Sequence, residues 1–168
     1  MHPVPLGFDP IAEARRNWAR HGWGAPDAMV AATSIARAHQ VVLAQIDAAL
    51  APFGLTFSRF EALALLHFSR LGALPMGKVG ARLQVHPASV TNTVTRLERD
   101  GLVRRIPGDA DRRLVLAEIT PEGRRVVKEA SAALAAAEFG LAGVGGGELA
   151  GIADALAAVR REAGDLTP

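Results

Sequence analysis

Residues 76–119 read MGKVGARLQVHPASVTNTVTRLERDGLVRRIPGDADRRLVLAEI, and the rhythm of this stretch decides the fold. Met76 to Leu83 is long enough for about two helical turns. Gln84, Val85 and His86 then make a tight connection to Pro87, whose fixed φ and missing N–H suit the first position of a second helix ending at Gly101. Two short helices joined by a three- or four-residue turn form a helix-turn-helix. In the second helix Val90, Val94 and Leu97 share one stripe, and Ser89, Asn92, Thr93 and Arg96 share another. The first stripe packs and the second is free to read. After Gly101 the pattern turns to β: residues 102–106 and 114–119 flank the turn-rich Pro107-Gly108-Asp109-Ala110-Asp111, with Arg112 and Arg113 at the hairpin tip or just beyond it. A helix-turn-helix followed by a basic-tipped hairpin predicts a winged helix.

Outward from this centre the chain reads as helix. Asp9 and Pro10 are the N-cap and first position of a short helix to about His21, ended by Gly22 and Gly24. A long helix follows from Pro26 to about Ala51, with Ala32, Ile35, Ala36, His39, Val42, Leu43, Ile46 and Leu50 on one face. Ser58 and Glu61 have the spacing of a capping box, opening a helix to about Ser69. Thr120-Pro121-Glu122 opens another to about Glu138, and Gly143 to Gly147 reads as a flexible link to a helix over 148–162. That last helix carries Leu149, Ile152, Leu156 and Val159 at helical spacing. A winged helix of about 65 residues is too small to cover these terminal faces, so a second copy of the chain is the expected cover. The expected class is mainly α with a small β-hairpin wing. Three regions follow: 1–54, N-terminal helices of a dimerisation region; 55–120, the winged helix; 121–168, C-terminal dimerisation helices.

Composition narrows the function. There are 168 residues, 49% of them hydrophobic, enough for a real core. Cysteine is absent, which excludes disulfides, thiolate metal sites and thiol-based peroxide sensing. Five scattered His build no zinc motif, no phosphate-binding loop appears, and neither an enzyme, a metal nor a cofactor is expected. No charge-free apolar run of membrane-spanning length occurs, and Asp9, Glu13, Arg15, Arg16 and Arg20 stand where a signal peptide would need its apolar core. A cytoplasmic protein without membrane contact is therefore expected. Residues 78–128 hold 11 Lys/Arg against 6 Asp/Glu, a local charge of +5 that leaves −3 for the rest. A basic middle between acidic flanks points to a polyanion, of which nucleic acid is the commonest.

The runs Leu55-Thr56, Leu83 to Thr91, Leu97 to Val103, Asp109 to Arg113 and Ile119 to Gly123, in this order and spacing, resemble the MarR family of bacterial transcriptional regulators over roughly residues 30–160. The resemblance implies a homodimer with interlocked terminal helices, a winged helix on each side, and repression relieved by a small ligand. The physics of DNA supplies roles for the residues. A helix fits the major groove, where each base pair shows a distinct pattern, so Ser89, Asn92, Thr93 and Arg96 are the candidate base contacts. Arg112 or Arg113 is the candidate for the electronegative minor groove, the other pairing with Asp109 or Asp111. Lys78, Arg99, Arg104 and Arg105 are candidate phosphate contacts. The family's ligand pocket lies between dimer helices and winged helix, which nominates Trp18, Arg37, His39, Arg59 and His67, with an anionic or aromatic ligand in view. Trp18 on an extra N-terminal helix resembles a subgroup that responds to urate and related anions, although that subgroup carries Arg where Thr93 stands. The expected partners are a pseudo-palindromic double-stranded operator, a second copy of the chain and a small effector. The alternative is a winged helix used as a protein-interaction module without DNA readout.

Overall fold

The computed structural model describes residues 6–108 and 114–165. Its elements are α1 (Pro10–Arg20), α2 (Pro26–Leu50), α3 (Phe57–Phe68), β1 (Ala73–Pro75), α4 (Met76–Leu83), α5 (Pro87–Arg99), β2 (Val103–Pro107), β3 (Val115–Ile119), α6 (Pro121–Ala136) and α7 (Gly146–Glu162). Short 3-10 turns, Ala51–Phe53 and Glu138–Gly140, follow α2 and α6.

Proline and small polar residues set the helix starts as the sequence leads one to expect. Asp9 accepts the Ile11 N–H at 2.9 Å, and Thr120 accepts the Gly123 N–H at 3.0 Å. The start of α3 differs. Its N-cap is Thr56, and the Phe57 N–H donates to the Asp47 carboxylate at 2.8 Å, so the cap comes from the last turn of α2 and not from Ser58 and Glu61. A capping group ten residues away leaves no local spacing to read. Helix α6 stops at Ala136 because Glu138 and Phe139 adopt left-handed φ of 46° and 50°. Helix α7 begins inside the glycine run, where the Gly145 N–H donates to Glu148 at 3.0 Å.

The sheet has three strands in the order β1-β3-β2, both pairings antiparallel. The three-residue β1 was not expected, since Ala73-Leu74-Pro75 is too short for a visible alternation. It pairs Leu74 with Ala117, and β2 pairs Arg105 with the same residue. Around this sheet runs one core. Leu63 and Leu66 of α3, Val94 and Leu97 of α5, Ala117 of β3 and Leu134 of α6 are all fully buried, joined by Val79 of α4 and by Ile46 and Leu50 from the end of α2. The winged helix is tied to α6 by close backbone approach, because a Cβ on Gly123 would stand 2.1 Å from the Leu102 carbonyl oxygen. No buried residue occurs in α1 or α7. No single helix among the described residues is long and apolar enough to cross a membrane.

Candidate nucleic-acid interface

The helix-turn-helix is built by its connection. Gln84 takes a left-handed φ of 54°, which ends α4, and its N–H closes back on the turn. His86 then organises the start of α5: its Nδ1 accepts the Ala88 N–H at 3.2 Å and its carbonyl accepts the Ser89 N–H at 2.8 Å. With Pro87 at the first position, every early N–H of α5 has a partner or is absent.

Val90, Val94 and Leu97 are buried beneath α5, as their stripe predicts. Ser89, Asn92 and Arg96 are exposed, and Thr93 is half-buried. Ser89 and Thr93 face a cleft of about 310 Å³ that Glu61 and Ser58 of α3 also line. Partial burial raises the Glu61 carboxyl above its ordinary range. Asn92 and Arg96 lie farther round the helix, away from that cleft. The polar stripe is thus two groups of residues, one turned towards α3 and one fully outward.

The candidate phosphate contacts differ in how far they are engaged. Lys78 and Arg96 have no ion-pair partner among the described residues. Arg99 pairs with Asp100 at 3.0 Å and Arg104 with Glu118, both with highly exposed guanidinium groups. The Glu118 hydrogen bond and charge raise the Arg104 pKa. Such surface pairs contribute little and exchange readily. Arg105 is held more fully, by Glu98 and by Thr95 at 2.7 Å. Sequence reasoning missed this set, whose only sequence signal is the i, i+4, i+7 spacing of Thr91, Thr95 and Glu98. Arg112 and Arg113, with Asp109 and Asp111, lie outside the described residues.

The five effector candidates are not gathered into one cavity. Trp18 donates its indole N–H to the Gly24 carbonyl at 2.8 Å and meets Trp23 edge-on at 4.8 Å, so it closes the turn after α1. Arg37 bonds Gln40 at 3.3 Å on the exposed side of α2, and His39 is exposed despite its apolar stripe, of which Ile46 and Leu50 alone are buried. Arg59 pairs with Asp100 at 3.1 Å and lines a polar cleft of about 670 Å³ with Arg99, Glu122, Arg125 and Glu129. None of the other four candidates lines that cleft. His67 packs against Phe68 at 5.9 Å. Arg59 Nε and His67 Nδ1 are buried with no hydrogen bond among the described residues.

An exposed polar helix on a helix-turn-helix, braced by a small antiparallel sheet, defines the winged-helix class of DNA-binding protein. The comparisons with known proteins give the particular family. The MarR family model matches residues 55–115. A crystal structure of a MarR family transcriptional regulator from Streptomyces coelicolor is 48% identical and superposes with a TM-score of 0.78, covering 84% of this chain and 99% of that one. CouR from Rhodococcus jostii, solved bound to p-coumaroyl-CoA, is 28% identical with a TM-score of 0.63, covering 74% of this chain and 87% of that one. An HTH-type transcriptional repressor of Mycobacterium tuberculosis is 30% identical over 61% of this chain and 72% of its own length. Two uncharacterised HTH-type regulators of Bacillus subtilis match over 61% and 51% of their lengths. The chain belongs to the MarR family of transcriptional regulators.

Proposed function

We propose that the chain is a homodimeric repressor that reads a pseudo-palindromic DNA operator and is released by a small anionic or aromatic ligand. The observation that carries the DNA reading is α5: a stripe of buried Val90, Val94 and Leu97 fixes the helix while Asn92, Arg96 and Ser89 stand exposed on it. Asn suits adenine and Arg suits guanine when each reaches bidentate geometry. Ser89 and Thr93 are the flanking base contacts. Lys78, Arg99 and Arg104 contact phosphates, and Arg112 or Arg113 enters the minor groove. The uncovered stripe of α7, with Ile152 45%, Leu156 38% and Val159 56% exposed, supports pairing through residues 1–54 and 121–168, with 55–120 as the reading unit. The repressor name of the mycobacterial relative supports repression, and the acyl thioester of CouR supports an anionic aromatic ligand. A cytoplasmic location follows from that role.

Selection from a random duplex pool tests the reading. The expected product is a symmetric motif with half-site centres about 10 base pairs apart, because two symmetric helices must enter one groove face in successive turns. Arg96→Ala or Asn92→Ala then reduces the preference for the selected duplex over random DNA by roughly 1–3 kcal/mol. Lys78→Ala weakens both complexes alike and flattens their salt dependence. Recovery of no motif, or of a single asymmetric site, contradicts the proposal. For the ligand, aromatic acids and acyl thioesters are titrated into free and DNA-bound protein. A true effector binds the free protein more tightly, since it shifts the population only by its differential affinity.

A further inference from the structure

Arg105 joins the wing to the reading helix. It stands at the middle of β2, opposite Ala117, and its side chain crosses to the flank of α5. There Nη1 pairs with the Glu98 carboxylate, while the backbone N–H of Arg105 donates to the other oxygen of that carboxylate at 3.1 Å. Nη2 donates to the Thr95 hydroxyl at 2.7 Å and reaches the Thr91 carbonyl at 3.4 Å. The Thr95 hydroxyl donates in turn to the Thr91 carbonyl at 2.7 Å, and the Thr91 hydroxyl to the Pro87 carbonyl at 3.1 Å. One side chain of β2 therefore grips two turns of α5 along a single stripe, Thr91, Thr95 and Glu98, beside the exposed Asn92 and Arg96.

Two features separate this from a surface ion pair. The carboxylate is held by main chain and side chain of the same residue, which fixes β2 in translation along α5. The planar guanidinium, with donors in a rigid fork, meets acceptors in two directions, which fixes rotation. The side chains are only 30% and 36% exposed. A guanidinium so engaged reaches a phosphate only by giving up the ion pair. Arg105 lies two residues from the end of β2, so a small change of angle there re-aims the end of that strand against α5.

We propose that Arg105 is a positioning residue that locks the wing to the reading helix through Glu98 and Thr95, so that the two enter their grooves in one register, and that it is not itself a phosphate contact. The inference rests on the DNA-reading function above. Its test uses the full-length protein, the duplex recovered by selection and a random duplex, each measured over a range of KCl concentrations. Glu98→Gln and Arg105→Ala are each expected to lower affinity for the selected duplex about tenfold, the size of one misplaced base contact, with little change on random DNA. The slope of log affinity against log salt stays at its wild-type value, since no phosphate contact is lost. Arg105→Lys, which keeps the charge and loses the fork, behaves like Arg105→Ala.

Glu98→Gln is the discriminating variant, because it frees Arg105 without removing its charge. If Arg105 were a phosphate contact, Glu98→Gln would bind as well as wild type or better, and Arg105→Ala would reduce the slope by about 0.9 per protomer. That pair of results overturns the inference. So does an equal loss on both duplexes accompanied by a lowered thermal midpoint, which marks a merely structural role. Should Arg105→Ala fail to fold, the near-isosteric Glu98→Gln and the charge-conserving Arg105→Lys still decide. A wild-type protein that prefers no duplex would sink the DNA reading itself, a different outcome from a selective wild type with an unaffected Glu98→Gln.

Discussion

The helices of the winged-helix region and helix α7 are made of similar residues and end in opposite conditions. Leu63, Leu66 and Leu97 are fully buried, whereas Ile152, Leu156 and Val159 of α7 stand 38–56% exposed along one stripe. Burying such a side chain contributes roughly 1.5–3 kcal/mol, so the first region collects this term within one chain and α7 leaves it uncollected there. Helix propensity does not separate them, since α7 is rich in Ala, the best helix former. What separates them is closure. The winged helix shares one core with α6 and the end of α2, and α7 leaves an apolar stripe uncovered within the chain.

Substitutions on the two sides should respond differently to protein concentration. The largest effect is expected for Leu97→Ala, beneath the reading helix, which removes about 2–5 kcal/mol of stability irrespective of concentration. Chemical denaturation at two concentrations checks this. Next comes the double change Ile152→Asp and Leu156→Asp. It should leave the winged helix folded by circular dichroism, yield monomers on sedimentation, and weaken operator binding by about 100-fold through loss of the second half-site. A dimer that survives the two charges would place the interface elsewhere.

A smaller effect tests the tie between wing and α6. The Thr120 hydroxyl accepts the Gly123 N–H and donates to the Gly101 carbonyl at 2.8 Å, so Thr120→Ala is expected to cost about 1–2 kcal/mol of stability, measured by chemical denaturation. The smallest concerns Glu61. Its folded-state pKa is raised by burial, so at neutral pH the ionised carboxylate opposes folding. Glu61→Gln should therefore be slightly more stable than wild type near pH 7, and the difference should fade as pH falls through the raised pKa towards the ordinary carboxylate range. A Glu61→Gln protein less stable than wild type near pH 7, with a deficit that shrinks on acidification, would mean the carboxylate is held by a cation and not by burial.

Much of this was legible in the sequence, and the parts that were not share a cause. The turn at 84–86, the buried stripe of α5 and the strands after Gly101 depend on near neighbours, and periodicity reports near neighbours. Asp47 capping α3, β1 pairing with β3, Arg59 meeting Asp100 and Arg105 gripping Glu98 are contacts between separate elements. For the side-chain contacts, residue type signals only that each group is polar or charged, and for β1 a three-residue apolar run signals no pairing. The same limit explains His39, whose stripe was legible but whose cover is not supplied by its own chain. Trp18 stood out as one of two Trp in the chain, yet its indole N–H is taken by the Gly24 carbonyl, four residues past the end of α1.

The contrast between the closed core and the open stripe of α7 is tested most directly by sedimentation of the full-length protein, free and on a duplex carrying two half-sites about 10 base pairs apart. The account predicts a dimer at micromolar concentration and one dimer per duplex, with a duplex bearing a single half-site bound far more weakly. A free monomer that binds the single half-site as tightly as the double one would contradict it.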